Sequence, residues 1–147
     1  AAAGADGLVL FNRFYQPDLD IEKLEVEPTL SLSTREELLQ RIRWVALLYG
    51  RVKADLAVTG GVHCAKGVIK SMMAGAKVAM LASELLEKGL GRIGEIRSCM
   101  EKWMAEHDYA SVKQMQGSLS QKNVAAPAAF ERANYIQIVK SYAPTFR

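Results

Sequence analysis

The chain has 147 residues, 50% of them hydrophobic and 24% charged, which is typical of a globular protein and excludes a disordered, collagen-like or disulfide-rich chain. Its 19 basic and 16 acidic residues give a net charge of +3, too small and too evenly spread to favour nucleic acid or a membrane surface as a partner. The densest basic cluster includes Arg41 and Arg43, which we interpret as a solvated helix face.

Cysteine content and the lack of long apolar segments predict a cytoplasmic location. Cys64 and Cys99 form no CxxC pair, as expected in a reducing compartment. No apolar run approaches the roughly 20 residues that a membrane span needs. The opening AAAGADGLVL has neither the basic region of a signal peptide nor an initiator Met, so we expect the natural start to lie elsewhere.

Three short apolar runs, residues 7–11, 56–59 and 78–81, are predicted to be strands. They lack polar alternation, a pattern typical of parallel strands that are buried on both faces. Residues 3–12 (AGADGLVLFN) also align without gaps on residues 74–83 (AGAKVAMLAS). The two segments therefore look like repeated βα units.

Apolar residues at helical spacing predict helices over residues 34–49, 64–74 and 93–106. Ser33 with Glu36, or Thr34 with Glu37, supplies a capping box for the first helix, and Gly50 stands where its C-terminal cap is expected. A further helix is predicted over residues 128–142, between two prolines. The Met and Trp residues of the third helix are interpreted as core packing.

The order of strands and helices predicts an α/β fold with a parallel sheet. Repeated βα units build both (β/α)8 barrels and doubly wound sheets. Three strands alone leave two open sheet edges, so the strand count indicates a missing piece. The connection over residues 13–33 is long, as in lids and binding loops, and Leu24 and Val26 alternate there with Glu25 and Glu27, which predicts a short β excursion.

Gly60 and Gly61 follow the second predicted strand and precede a helix. The loss of Cβ lets a backbone approach a phosphate closely, and the next helix adds N–H groups, although a tight turn with no ligand has the same pattern. Ala82 and Ser83 end the next strand, and Ser83 offers a hydroxyl. Because barrels often hold a phosphate at their last two strands, the pattern favours a phosphate site over a bare turn.

Several motifs together resemble the C-terminal part of the bacterial dihydroorotate dehydrogenase-like flavoproteins. They are FNRFYQPD at residues 11–18, LAVTGGV at 56–62, AGAKVAMLASELL at 74–86 and SQKNVAAPAAFERANYI at 120–136. The resemblance implies a TIM (β/α)8 barrel that binds FMN and oxidises dihydroorotate to orotate in pyrimidine biosynthesis. It places strands six to eight in residues 1–110, with 13–33 as an active-site loop, and a C-terminal helical extension on the barrel in residues 111–147.

The resemblance also assigns site residues. Thr59, Gly60 and Gly61 would hold the FMN phosphate together with Ala82 and Ser83, which replace the Gly-Thr of better known members. Asn12 would face the flavin and the substrate. The neighbouring Arg13 would pair with a substrate carboxylate or form a surface salt bridge. No metal is expected.

The family's catalytic base, a Cys or Ser, and its flavin-binding Lys lie on strands that precede residue 1, so no catalytic residue is assigned here. We interpret His63 as a loop or packing histidine and do not expect Cys64 to replace the base; His107 needs no function. The expected partners are the rest of the barrel and a small-molecule substrate. The run at residues 120–123 could also contact a second subunit and so form a homodimer. The alternative function is a non-redox phosphate-binding α/β module.

Overall fold

The computed structural model describes residues 2–11 and 16–131. Its strands are β1 (Gly7–Leu10), β2 (Asp18–Asp20), β3 (Glu25–Glu27), β4 (Asp55–Thr59) and β5 (Val78–Met80). Its helices are α1 (Glu37–Leu48), α2 (Ala65–Ala74), α3 (Ala82–Lys88), α4 (Arg92–Glu106) and α5 (Val112–Met115), followed by a 3-10 helix (Pro127–Phe130). The three strands and three helices predicted within these ranges are all present.

A parallel sheet with the order β1-β4-β5 forms the centre of the fold. Leu8 pairs with Leu56, and Leu10 with Val58, in register between β1 and β4. Helix α1 connects β1 to β4, and α2 connects β4 to β5. The predicted α/β class with a parallel sheet is therefore confirmed.

The helices cover one face of this sheet. Leu56 and Val58 are buried there against α1, with Val45 and Ala46 of that helix in the same cluster. The opposite face begins with the row Val9–Ala57–Val78. Val9 is 51% exposed and Val78 47% exposed. Burial on both faces is therefore not seen for the two outer strands, since no second layer among the described residues covers their other face.

A two-stranded antiparallel hairpin, β2 with β3, follows the sheet's first strand. It confirms the predicted β excursion. Asp18 pairs with Glu27 and Asp20 with Glu25, so these carboxylates share one face, while Leu19 pairs with Val26 on the other. The hairpin is largely exposed on both faces.

Helix α1 begins three residues later than predicted, at Glu37. Of the two proposed capping boxes, the pair of Thr34 and Glu37 is formed in part, since the Thr34 backbone N–H donates to Glu37 Oε1 at 3.1 Å. Gly50 has φ of 75° just beyond the helix, the left-handed conformation expected after a helix C-terminus.

A second apolar cluster joins α2, α4 and α5. Ile69, Met72 and Met115 are buried in it, and Met100 and Trp103 of α4 pack against them. The interpretation of the Met and Trp residues as core packing is confirmed.

The segment after α5 packs against α1. Its Gln121 backbone N–H donates to the Ala46 carbonyl at 3.0 Å, and Ser120 and Gln121 are buried within the chain. The predicted helix over residues 128–142 starts differently, with a 3-10 turn followed by an extended Glu131, and its remainder lies outside the described residues. Within the described ranges, no helix combines the length and apolar character that crossing a membrane requires.

Candidate functional site

A cavity of about 120 Å³ lies at the carboxyl ends of β4 and β5. Its walls are formed by Ser33, Thr59, Gly60, Gly61, Val62, Met80, Ala82 and Ser83. All five residues predicted to hold a phosphate therefore line one cavity. The first turn of α2 is not part of it, because residues 62–64 separate the glycine pair from that helix.

Sequence reasoning missed three wall residues, Val62, Met80 and the polar Ser33. Its hydroxyl accepts a hydrogen bond from the Gly61 N–H at 3.0 Å and donates to Ser83 Oγ at 2.8 Å. Its backbone N–H also donates to Ser83 Oγ, at 3.0 Å. Ser33 is buried, so it joins the loops after β4 and β5 from a third segment.

Gly60 and Gly61 have φ of 82° and 80°, in the left-handed region that favours glycine. A Cβ on Gly61 would lie 2.6 Å from the Leu38 backbone nitrogen and 2.8 Å from the Thr34 carbonyl oxygen. The missing side chain thus makes room for the start of α1. The sequence suggests that glycine is needed here so that a phosphate can approach the backbone closely. The packing of α1 already requires glycine at position 61, with or without a phosphate.

Arg41 lies behind the first of these glycines. Its side chain is 7% exposed, and a Cβ on Gly60 would be 3.0 Å from Nη2 and 3.1 Å from Nε. The interpretation of Arg41 as part of a solvated face is therefore wrong, whereas Arg43 is exposed as expected. Arg41 stands three residues after Leu38 and four before Val45, so helical spacing places it on the buried stripe.

A buried contact between His63 and Glu84 links the same two loops. His63 Nδ1 lies 2.9 Å from Glu84 Oε2, and the side chains are 8% and 1% exposed. Arg92 Nε donates to Glu84 Oε1 at 2.6 Å, and Lys88 Nζ lies 3.4 Å from the same oxygen. The burial of His63 agrees with its interpretation as a packing histidine.

The cations around Glu84 determine its charge. Burial alone would raise the pKa of Glu84, but hydrogen bonds from Arg92, His63 and Lys88 outweigh it and hold that pKa below the usual value. His63, Glu84 and Glu87 place ligand atoms within 4.8 Å of one another, a spacing that a metal could use. However, Arg92 and Lys88 already neutralise the Glu84 carboxylate, which disfavours a further cation.

The other sequence candidates lie away from the cavity or outside the description. Cys64 precedes α2 as its N-terminal cap and is partly exposed, but it is not among the wall residues. His107 stacks on Trp103 at the end of α4, with ring centroids 4.0 Å apart. Asn12 and Arg13 lie outside the described residues.

Comparison with known proteins finds one informative similarity. No protein-family model matches the chain. Over 106 residues the chain is 32% identical to the catalytic subunit of dihydroorotate dehydrogenase B (NAD(+)) from Saccharolobus solfataricus. The match covers 70% of this chain and 37% of that relative, so the chain spans little more than a third of the relative's length. The similarity supports a relationship to the dihydroorotate dehydrogenases at the level of the family.

Proposed function

We propose that this chain is part of an FMN-dependent oxidoreductase of the dihydroorotate dehydrogenase type and holds the phosphate of the flavin. The observation that carries the proposal is the cavity at the ends of β4 and β5, where hydroxyl groups and loop backbone converge. Its location agrees with the rule that parallel α/β folds bind ligands at the carboxyl ends of their strands. The similarity to a dihydroorotate dehydrogenase catalytic subunit supplies the chemistry.

The one-sided sheet supports a partial TIM barrel. In a (β/α)8 barrel the helices lie outside, and alternate strand side chains fill the interior. Here the row with Val9 and Val78 is apolar and exposed, while the helices cover the other face. A doubly wound sheet would carry helices on both faces. We therefore propose that further strands pair with β1 and β5 and bury this row inside a barrel.

The cavity walls fit an anion. No carboxylate is among the described residues that line the cavity, because Glu84 is directed toward Arg92 and His63. Ser83 Oγ accepts two hydrogen bonds from Ser33, so its own hydroxyl hydrogen can be donated to a ligand. The volume of about 120 Å³ suits a phosphate group and not a whole flavin.

In this proposal the chain binds and orients, and the redox chemistry belongs to the cofactor. Bound FMN supplies a hydride acceptor for the oxidation of dihydroorotate to orotate. Thr59, Gly60, Gly61, Ala82 and Ser83 hold the phosphate end, and Ser33 fixes the two loops that carry them. Asn12 is proposed, by resemblance, to contact the substrate. The proton acceptor is a Cys or Ser outside these 147 residues.

Flavin titration tests the proposal. We expect FMN to bind the purified protein, with quenching of flavin fluorescence, and Ser83→Asp to abolish binding because it places a carboxylate against the phosphate. Ser98→Asp, on an exposed position of α4, is the control for charge. The chain alone is expected to bind FMN without oxidising dihydroorotate, whereas the complete barrel should oxidise it.

The non-redox alternative predicts a different pattern. A phosphate-binding α/β module would bind inorganic phosphate and FMN with similar affinity, and a complete polypeptide would not reduce FMN with dihydroorotate. Absence of any FMN binding by the complete polypeptide would refute the flavoprotein proposal. The homodimer and the cytoplasmic location stay predictions; sedimentation of the purified protein tests the former.

A further inference from the structure

Arg41 is a buried cation whose partners among the described residues do not fully satisfy it. Its side chain is 7% exposed. Nη1 donates to the Glu37 carbonyl at 2.6 Å, and Nη2 lies 3.4 Å from Glu37 Oε2. Nε is buried and has no hydrogen-bond partner among the described residues. Buried charges are normally paired and fully hydrogen-bonded, because desolvation costs several kcal/mol per ion.

The carboxylate of Glu37 compensates this charge only in part. Its contact with Arg41 is long for a charge-assisted hydrogen bond, which usually measures about 2.7–2.9 Å. The other carboxylate oxygen, Oε1, accepts from the Thr34 backbone N–H. The Glu37 side chain is 28% exposed, so water weakens its interaction with Arg41.

The guanidinium lies directly against the wall of the cavity. The three atoms nearest to a Cβ built on Gly60 are Nη2, Cζ and Nε of Arg41, at 3.0 to 3.1 Å. Gly60 itself lines the cavity. The positive charge of Arg41 is therefore separated from the proposed phosphate position by Gly60. Its side chain is largely shielded from water.

We propose that Arg41 is the buried cation of this anion site. Through the Gly60 turn it positions the loop and favours a doubly charged phosphate monoester over a neutral ligand of the same shape. The inference rests on the proposed flavin-phosphate function and deepens it, because it names the group that makes the site selective for charge. Arg41 lies against Gly60 and is not among the residues that line the cavity, so its role is that of a positioning residue.

The test compares FMN with riboflavin, which has the same ring system but no phosphate. For each variant the ratio of the riboflavin Kd to the FMN Kd is measured by fluorescence titration, and folding is checked by circular dichroism. We expect Arg41→Met to lower the ratio about tenfold, equivalent to about 1.4 kcal/mol, and Arg41→Lys to keep it within about threefold of the starting value. A purely structural role would change both affinities together and leave the ratio unchanged.

A second variant tests the charge in the opposite direction. Glu37→Gln keeps an oxygen that can accept from Thr34 but removes the negative charge beside Arg41, so the ratio should rise. Glu37→Gln therefore tests the role of the Arg41 charge even if Arg41→Met does not fold. Lys53→Gln is the control, since it removes one positive charge at an exposed position before β4 and should not alter the ratio.

The outcomes separate this inference from the proposed function. Failure of the unmodified protein to bind FMN overturns the proposed function and this inference with it. FMN binding with an unchanged ratio in Arg41→Met, or with a ratio that falls in Glu37→Gln, overturns the role of Arg41 alone.

Discussion

The hydroxyl of Ser33 donates to the hydroxyl of Ser83 at 2.8 Å, although the two residues are 50 positions apart in the chain. Ser33 also accepts from the Gly61 N–H. A single buried side chain therefore connects the segment before α1 to both loops that surround the cavity. This connection therefore contributes directly to the geometry of the cavity.

Replacement of Ser33 by Ala should reduce both stability and FMN affinity. The variant removes the acceptor of a buried N–H, and an unsatisfied buried donor costs about 1–3 kcal/mol. The free energy of unfolding, measured by urea denaturation, should fall by that amount. Ser98→Ala, at an exposed position in α4, is the matched control and should be close to neutral. If the Ser33→Ala protein has unchanged stability, the hydrogen bonds of Ser33 with Gly61 and Ser83 do not exist in solution.

Replacement of Gly61 by Ala should be far more damaging than replacement of Gly89. Both glycines have positive φ, 80° and 76°, so each substitution strains the backbone by about 1–3 kcal/mol, and Gly89, with ψ of 172°, is not the less strained of the two. A Cβ on Gly61 also meets the backbone of α1 at 2.6 Å, whereas one on Gly89 meets nothing within 4 Å. Thermal unfolding should therefore show a much larger loss for Gly61→Ala, and equal losses would contradict the packing of α1 on this turn.

Tyr49 should be a strong stability determinant because glycines make room for its ring. Cβ atoms on Gly75 and Gly117 would lie 2.3 Å and 2.2 Å from ring carbons of Tyr49. Tyr49→Ala leaves this space empty, at a cost of about 3 kcal/mol in the free energy of unfolding. Leu39→Ala in α1, the helix that ends just before Tyr49, removes a side chain that is 61% exposed and should cost much less. Similar losses for the two variants, measured by urea denaturation, would argue against the ring's position.

The buried carboxylate of Glu84, with its partners Arg92 and Lys88, should make stability depend on acid pH. Because Arg92, His63 and Lys88 hold the pKa of folded Glu84 below the ordinary value of 4.5, its stabilising effect is complete above that value and is lost as the pH falls through the folded pKa. Glu84→Gln should cost about 3 kcal/mol at neutral pH, and the difference from the unmodified protein should shrink below pH 4.5.

The control for this prediction is Glu101→Gln. Glu101 pairs with Arg97 at 2.8 Å, but its side chain is 60% exposed, and surface pairs contribute little. Urea denaturation across the pH range compares the two variants. A pH-independent effect of Glu84→Gln would show that Glu84 is not a buried, ionised carboxylate.

Local patterns predicted the elements well because helical spacing and short apolar runs are properties of neighbouring residues. The helix predicted over residues 93–106 is Arg92–Glu106, and the second predicted strand is Asp55–Thr59. The exposed face of the sheet could not be predicted, since an apolar strand has the same sequence whether its second face is covered by helices or by other strands.

Parts of the site depend on contacts that no local pattern encodes. Ser33 meets Gly61 from 28 positions away, and nothing near Ser33 in the sequence marks that contact. Arg41 is different, because its spacing from Leu38 and Val45 already placed it on the buried stripe. The charge of Arg41 favours a solvated position, whereas its place in the helical period indicates burial, and the structure agrees with the helical period.

The most direct test of the central claim locates bound FMN on the protein by amide chemical shifts. A second cavity, of about 270 Å³ at the amino ends of the strands, includes Gly50, Lys77 and Lys122 and offers an internal comparison. In a titration of the 15N-labelled protein with FMN, we predict saturable shifts at the amides of Gly60, Gly61 and Ser83, with Gly50 and Lys122 unmoved. Shifts centred on Gly50 and Lys122, or none at Gly60, Gly61 and Ser83, would contradict the assignment of the phosphate site.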